Sequence, residues 1–191
     1  MEYAGQDGVS AYGVFMYVSF VFVAIFIGYA IGSAPIVSYH YGAKNYDELK
    51  NLFRKGVTVN AFFGVIMLIL GEITAVPLGK LFVGYDPVLL EMTCRCFYIG
   101  SICYLFAGTN IFASSFFTAL NNGFISAVIS FLRTLVFQTA SVLILPLIFD
   151  VDGIWYAITV AEVFATLISV IFLFAKRKKY HYMECSPHGK K

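Results

Sequence analysis

Charge is the scarcest property of this sequence. Of its 191 residues only 13% are Asp, Glu, Lys or Arg, against roughly 25% in a soluble domain. So few charges cannot clothe a soluble surface around a chain that is 60% hydrophobic, with a mean hydropathy of +0.81. A net charge of +2 offers no basic excess for a phosphate backbone, and no nucleic-acid partner is expected. Cys94, Cys96, Cys103 and Cys185 form no ligand set, because the C-x-C pair has no histidine beside it and lacks the spacing of a zinc site. They read as free thiols, Cys103 as a small buried apolar side chain. No metal and no cofactor are expected. His40, His181 and His188 all fall outside the apolar runs, and no H-E-x-x-H occurs. Gly84-Tyr85-Asp86 sits in a loop without a second aspartate at membrane depth. An intramembrane enzyme would lack its acid, base and nucleophile, so the chain is not expected to be an enzyme.

What the sequence does have is five long apolar runs, near 12–39, 52–82, 96–119, 123–148 and 153–175. A helix crossing the hydrocarbon core needs about 20 mostly apolar residues. Barrel strands are about ten residues long with strict alternation, so continuous runs of this length predict an all-α integral membrane fold. Residues 1–175 form the predicted bundle and 176–191 a basic tail. Lys44, Lys50, Arg54 and Lys55 follow the first run, and Lys176 to Lys179 follow the last. Asp86, Glu91, Asp150 and Asp152 lie in the opposite loops, where Lys80 and Arg95 are the basic exceptions. The Lys and Arg excess marks the cytoplasmic side, which places the C-terminus there. Met1–Ser10 then lies outside. It carries Glu2 and Asp7 and no basic n-region, so it is not a signal peptide, and a preceding span is expected.

Polar residues inside the runs are the candidates for function. Span one carries Gly28 and Gly32 with Pro35 beyond them, on one face with Tyr17 and Ala24. Such a small-residue face predicts close helix packing, or a hinge at the proline. Gly42 is expected to end that helix at positive φ. Asn45 or Asp47 is then expected to cap a short helix reaching Lys55, and His40 reads as a solvated interface side chain. Span two is featureless apart from Glu72 near its outer end. Gly79-Lys80 and Gly84 to Pro87 mark the following turn, and Glu91 can pair with Arg95 four residues on. Span three has polar or small residues on two faces, with Ser101, Tyr104, Gly108 and Ser115 on one and Cys103, Asn110 and Ser114 on the other. It should be surrounded by its neighbours. Asn110 near mid-span suits an interhelical hydrogen bond or a ligand contact. In span four Ser126, Ser130, Arg133, Thr134 and Ser141 share a broad stripe edged by Gln138. Arg133 can snorkel to lipid headgroups or neutralise an internal carboxylate. In span five Thr159, Glu162, Thr166 and Ser169 share one face. An ionisable residue within a span faces the bundle interior or a water-filled cavity, and desolvation disfavours its charged form. Glu162 is therefore a candidate for proton exchange.

The order of motifs resembles a known family. Gly8–Val14 reads Gly-Val-Ser-Ala-Tyr-Gly-Val, and Ser33–Asn45 reads Ser-Ala-Pro-Ile-Val-Ser-Tyr-His-Tyr-Gly-Ala-Lys-Asn. Together they resemble the eighth helix and following loop of bacterial multidrug and toxic compound extrusion (MATE) transporters. Phe131–Phe137 resembles the family's eleventh helix, and Leu145–Glu162 the join into its twelfth. The resemblance implies helices eight to twelve of a twelve-helix transporter, most of one six-helix lobe. It implies export of drug-like organic cations in antiport with sodium ions or protons, by alternating access. It also implies residence in a bacterial inner membrane with both termini of a complete member cytoplasmic. The N-terminal lobe and helix seven, which carry acidic residues in the family, are expected to be missing partners. Some members have an Asp in the tenth helix; Tyr104–Ser114 has no acid there. No ion-coupling residue transfers, and Glu162 stands on its own chemistry. Two alternatives stay open. One is a flippase for lipid-linked oligosaccharides, which would need more cationic side chains than Arg133 at depth. The other is the intramembrane enzyme already disfavoured.

Overall fold

The five apolar runs fold as five helical spans in the computed structural model, which describes residues 5–183. Among the described residues there are no strands, and all five spans are long and apolar enough to cross a membrane. Span one is α1 (Gly5–Gly42) and span two is α2 (Tyr46–Val83). Span three is α3 (Pro87–Gly100), a 3₁₀ turn at Ser101–Cys103, and α4 (Tyr104–Ala119). Span four is α5 (Gly123–Phe131), a π-helical turn at Leu132–Phe137, and α6 (Gln138–Ile144). Span five is α7 (Pro146–Tyr180), broken near its start at Asp150. The helices are longer than the apolar runs because polar residues continue them beyond the hydrocarbon depth. Asp7 and Ser10 are already helical in α1. Cys185, His188, Lys190 and Lys191 lie outside the described residues.

The loops carry their own chemistry. Positive φ falls on Lys44 (55°) and not on Gly42, because α1 keeps its last turn before reversing. Asn45 does cap the next helix, accepting from the Glu48 N–H at 3.2 Å. The expected short helix to Lys55 is instead the first turns of the unbroken α2. Likewise Gly79-Lys80 stays helical, and the turn comes at Gly84, where Asp86 caps α3 through the N–H groups of Val88 and Leu89. A proline at the first helical position needs no donor there, so Asp86-Pro87 starts α3 cleanly. Arg95 does not take Glu91. It donates to Asp152 Oδ2 at 2.5 Å across the gap to span five, an option that spacing along one helix does not reveal.

Two apolar clusters hold the ends of the bundle. At the end containing the 42–46 and 120–122 loops, Leu49, Phe53, Phe112, Phe116, Phe117 and Ile129 pack with Tyr180 and Tyr182. The basic run 176–179 is helical, and Tyr182 folds back to be fully buried, donating to the Leu173 carbonyl. At the opposite end Phe15, Phe26, Met67, Phe97, Tyr104 and Trp155 form the second cluster. Span three lies at the centre, with 61% of its most apolar stretch buried, as its two polar faces predict.

Close helix approach is built from other glycines than those the sequence singled out. Gly28, Gly32 and Pro35 lie on an exposed face of α1 with Tyr17, and a methyl added at Gly28 or Gly32 would meet open space. The α1 helix also runs straight through Pro35 in sequence to Gly42. The tight seam is on α2. Gly56, Gly64, Gly71 and Gly79 are all buried there, spaced eight, seven and eight residues apart. That spacing is two helical turns, so all four fall on one ridge against span three. A Cβ at Gly64 would lie 2.9 Å from the Tyr104 carbonyl oxygen, and one at Gly71 would lie 2.3 Å from Ser101 Oγ.

Candidate functional site

Between the two apolar clusters lies a polar layer built by spans three, four and five. Glu162 is buried on α7, eighteen residues before the end of that helix. Its Oε1 accepts from Arg133 Nε at 2.8 Å and Arg133 Nη2 at 2.6 Å. Its Oε2 accepts from Asn110 Nδ2 at 2.7 Å, and the same amide also donates to the Glu162 carbonyl at 3.1 Å. Asn110 is in turn fixed by Ser169 Oγ, which donates to Oδ1 at 3.0 Å. Thr166 Oγ1 donates to the Glu162 carbonyl at 2.8 Å. Every polar atom of the carboxylate therefore has a partner, as a buried charge requires.

Local sequence explains the placement. Glu162, Thr166 and Ser169 are four and three residues apart on α7, so they share one face. Asn110 and Arg133 lie ten and eleven residues from the 120–122 loop joining spans three and four, which is about 15 Å at the helical rise. With that loop at the edge of a bilayer core about 30 Å thick, both would stand near its middle. Arg133 sits in the π turn, where the wider backbone interrupts the regular ladder. Such turns recur at functional sites. The pair is sheltered, with side-chain exposures of 23% for Arg133 and 11% for Glu162. Of the two roles open to Arg133, the geometry is that of neutralising an internal carboxylate.

The other candidates lie apart from this network. Tyr104 is buried toward span one, its hydroxyl 2.6 Å from Ser19 Oγ. Gln138 is half-buried just past the π turn and makes none of the network's hydrogen bonds. Glu72 is exposed on α2. His40 is half-buried, with its ring edge-to-face against Tyr39. Thr159 donates to the Ile99 carbonyl at 3.3 Å. Ser126 and Ser130 join a separate hydroxyl cluster around Ser114, with oxygen separations of 2.8 and 2.9 Å, and Thr118 donates to Ser126. Cross-helix pairings of this kind leave no periodic signal in one span. The glycine ridge of α2 did leave one, the repeat of eight, seven and eight residues. Cys94, Cys96 and Cys103 are free. Among the described residues no group of three or more His, Cys, Asp or Glu side chains is placed to hold a metal ion.

The arrangement has one plain chemical property. A proton delivered to Glu162 removes the charge that holds Arg133, and leaves the guanidinium to find another partner within the layer. A sodium ion at the same carboxylate must likewise displace a donor, since Arg133 and Asn110 occupy both oxygens.

Known proteins share this fold. The sequence model of the MatE family matches residues 1–143. Over 80 residues the chain is 29% identical to a Bacillus subtilis (strain 168) protein named "Probable multidrug resistance protein YoeA", covering 42% of this chain and 17% of that one. The Vibrio cholerae MATE transporter VcmN in its bent form has a TM-score of 0.84 at 18% identity, over 94% of this chain and 41% of that chain. A multidrug resistance MATE family transporter of the MOP superfamily matches with a TM-score of 0.87 in an outward-facing conformation. That match is at 15% identity and spans 94% of this chain and 40% of that one. An inward-facing conformation of such a transporter gives 0.81 at 15% identity, with 95% and 42% covered. The chain thus spans about two fifths of the solved transporters it matches. With the family model covering residues 1–143 of 191, the chain belongs to the MatE family of membrane transporters.

Proposed function

We propose that this chain is most of the C-terminal lobe, helices eight to twelve, of a multidrug efflux transporter that works by alternating access with a second lobe. The cargo is organic cations or related drug-like compounds, and the drive is antiport of protons or sodium ions. The membrane is a bacterial inner membrane, with the basic end of the bundle cytoplasmic. The observation that carries the reading is the charged layer at mid-depth, in a lobe whose fold resembles both outward- and inward-facing transporters. A lobe that keeps its internal fold in both conformations suits rigid rocking around a midplane site. The exposed Gly28, Gly32 and Pro35 face then serves contact with helices outside this chain. Glu162 is the ion-linked group, and Arg133 and Asn110 are its positioning residues. Arg133 opposes both ions at this carboxylate, so either one, proton or sodium, must loosen the Arg133–Glu162 pair to bind. A flippase for lipid-linked oligosaccharides is disfavoured for a related reason. The one cation at mid-depth among the described residues is already neutralised by Glu162, leaving little to meet a pyrophosphate.

The test joins the chain to helices one to seven of a MATE transporter, the six-span N-terminal lobe with helix seven, in cells stripped of other efflux pumps and follows ethidium efflux. Efflux that needs both lobes and collapses with the proton or sodium gradient supports the reading. A correctly inserted joined protein that moves no cation, or that moves lipid-linked sugar instead, overturns it.

A further inference from the structure

A groove of about 440 Å³ opens on the outside of the bundle between spans two and five, over α4. It is within the range of roughly 300–1,000 Å³ that holds small molecules. Val57 and Thr58 form one wall, Val170 and Phe174 the other, and Thr109 the floor. None of it belongs to the Arg133–Glu162 layer. Its walls are apolar but its mouth is not. Arg54 lines the groove one turn before Val57, and the Arg177 guanidinium lies 5.7 Å over the Phe174 ring. Both arginines are exposed, and neither is in an ion pair among the described residues. The nearest acid along α2, Glu48, is occupied by Asn51 Nδ2 at 3.1 Å.

We propose that this groove is a binding site for an anionic phospholipid of the adjoining leaflet. One acyl chain lies in the Val57–Val170–Phe174 slot, and the phosphate is held at the mouth by Arg54 and Arg177. The chemistry is directional. Guanidinium forks match phosphate oxygens in bidentate geometry, and the chain below replaces bulk lipid against apolar walls. A zwitterionic lipid offers the same phosphate but brings its own cation, which the two guanidinium groups repel. The basic end of the bundle is the end that the Lys and Arg bias puts against the anionic cytoplasmic leaflet.

The test places the full chain in nanodiscs of phosphatidylcholine with graded phosphatidylglycerol, and counts the lipids retained by native mass spectrometry. One phosphatidylglycerol retained at low mole fraction, in preference to phosphatidylcholine, is expected. Arg54→Gln with Arg177→Gln should weaken retention about fivefold per guanidinium removed. Val170→Trp, which fills the slot, should lose the lipid while the arginines remain. Lys178→Gln with Lys179→Gln removes the same charge from the same end and should leave retention unchanged. Equal retention of both lipids, equal loss in the lysine control, or full retention in Val170→Trp would each overturn the site. So would competition by glycerol phosphate, which lacks chains, at the affinity of the whole lipid.

Discussion

Cutting the Arg133–Glu162 pair from either side should be far more damaging than removing it whole. Arg133→Met leaves a carboxylate whose side chain is 11% exposed, supported by Asn110 alone. Glu162→Leu leaves a guanidinium at 23% exposure and strips Asn110 of its carboxylate acceptor, leaving it the backbone carbonyl of residue 162. Breaking a buried pair from one side costs about 3–5 kcal/mol, whereas replacing both partners by apolar groups of similar volume is often neutral or stabilising. A Coulomb check agrees, with two unit charges at 4 Å giving about 4 kcal/mol at an effective dielectric of 20. Because Asn110 and residual water still serve the survivor, each single variant should lie near the lower end, about 3 kcal/mol. The double variant should return to within about 1–2 kcal/mol of wild type. The resulting interaction energy, about 4–5 kcal/mol, is above the top of the range for contacting residues. Equilibrium unfolding in mixed micelles, run on all four proteins, measures it. Single variants that each cost under about 1 kcal/mol, or a double variant that costs their sum, would refute the claim that these charges depend on each other.

Gly64→Ala should destabilise by about 1–3 kcal/mol, because its methyl would lie 2.9 Å from the Tyr104 carbonyl, whereas Gly28→Ala should leave the melting temperature of this chain unchanged or slightly raised. Arg95→Ala should cost no more than about 1 kcal/mol in thermal unfolding despite its short contact with Asp152, since that arginine is 63% exposed and solvent screens the pair. Burial pushes the Tyr182 phenol above the ordinary tyrosine value, so the folded chain holds that proton more tightly than the unfolded one. The stability Tyr182 contributes is intact below about pH 10 and is lost as pH rises beyond it. Unfolding midpoints of wild type and Tyr182→Phe measured from pH 8 to 11 should therefore diverge in their pH dependence only at the alkaline end.

The spans were legible because lipid leaves the backbone few options. Long apolar runs must be helices, and a glutamate among them must turn inward. Glu162, Thr166 and Ser169 announced themselves by sharing a helical face, and Asn110 by standing at mid-span. What the sequence hid was who meets whom across helices. Arg133 had two credible destinations, and only the packing of span four against span five selects Glu162 over the headgroups. Arg95 looked matched to Glu91 along its own helix, yet the break at Asp150 brings Asp152 within reach. The small-residue face of span one suggests a packing seam or a hinge, because GxxxG spacing is a strong local signal. Whether anything packs there depends on neighbours, and this bundle closes along the α2 glycine ridge instead. That ridge has a longer repeat, and an eye tuned to four-residue spacing passes over it.

The central claim is that Glu162 links ion movement to transport. The most direct measurement is ethidium efflux by the chain joined to helices one to seven of a MATE transporter, as wild type and as Glu162→Gln, across a range of imposed proton and sodium gradients. The account predicts that the Gln variant binds the dye but loses its dependence on the driving gradient, proton or sodium. Efflux by Glu162→Gln with the same rate and the same dependence on that gradient as wild type would contradict it.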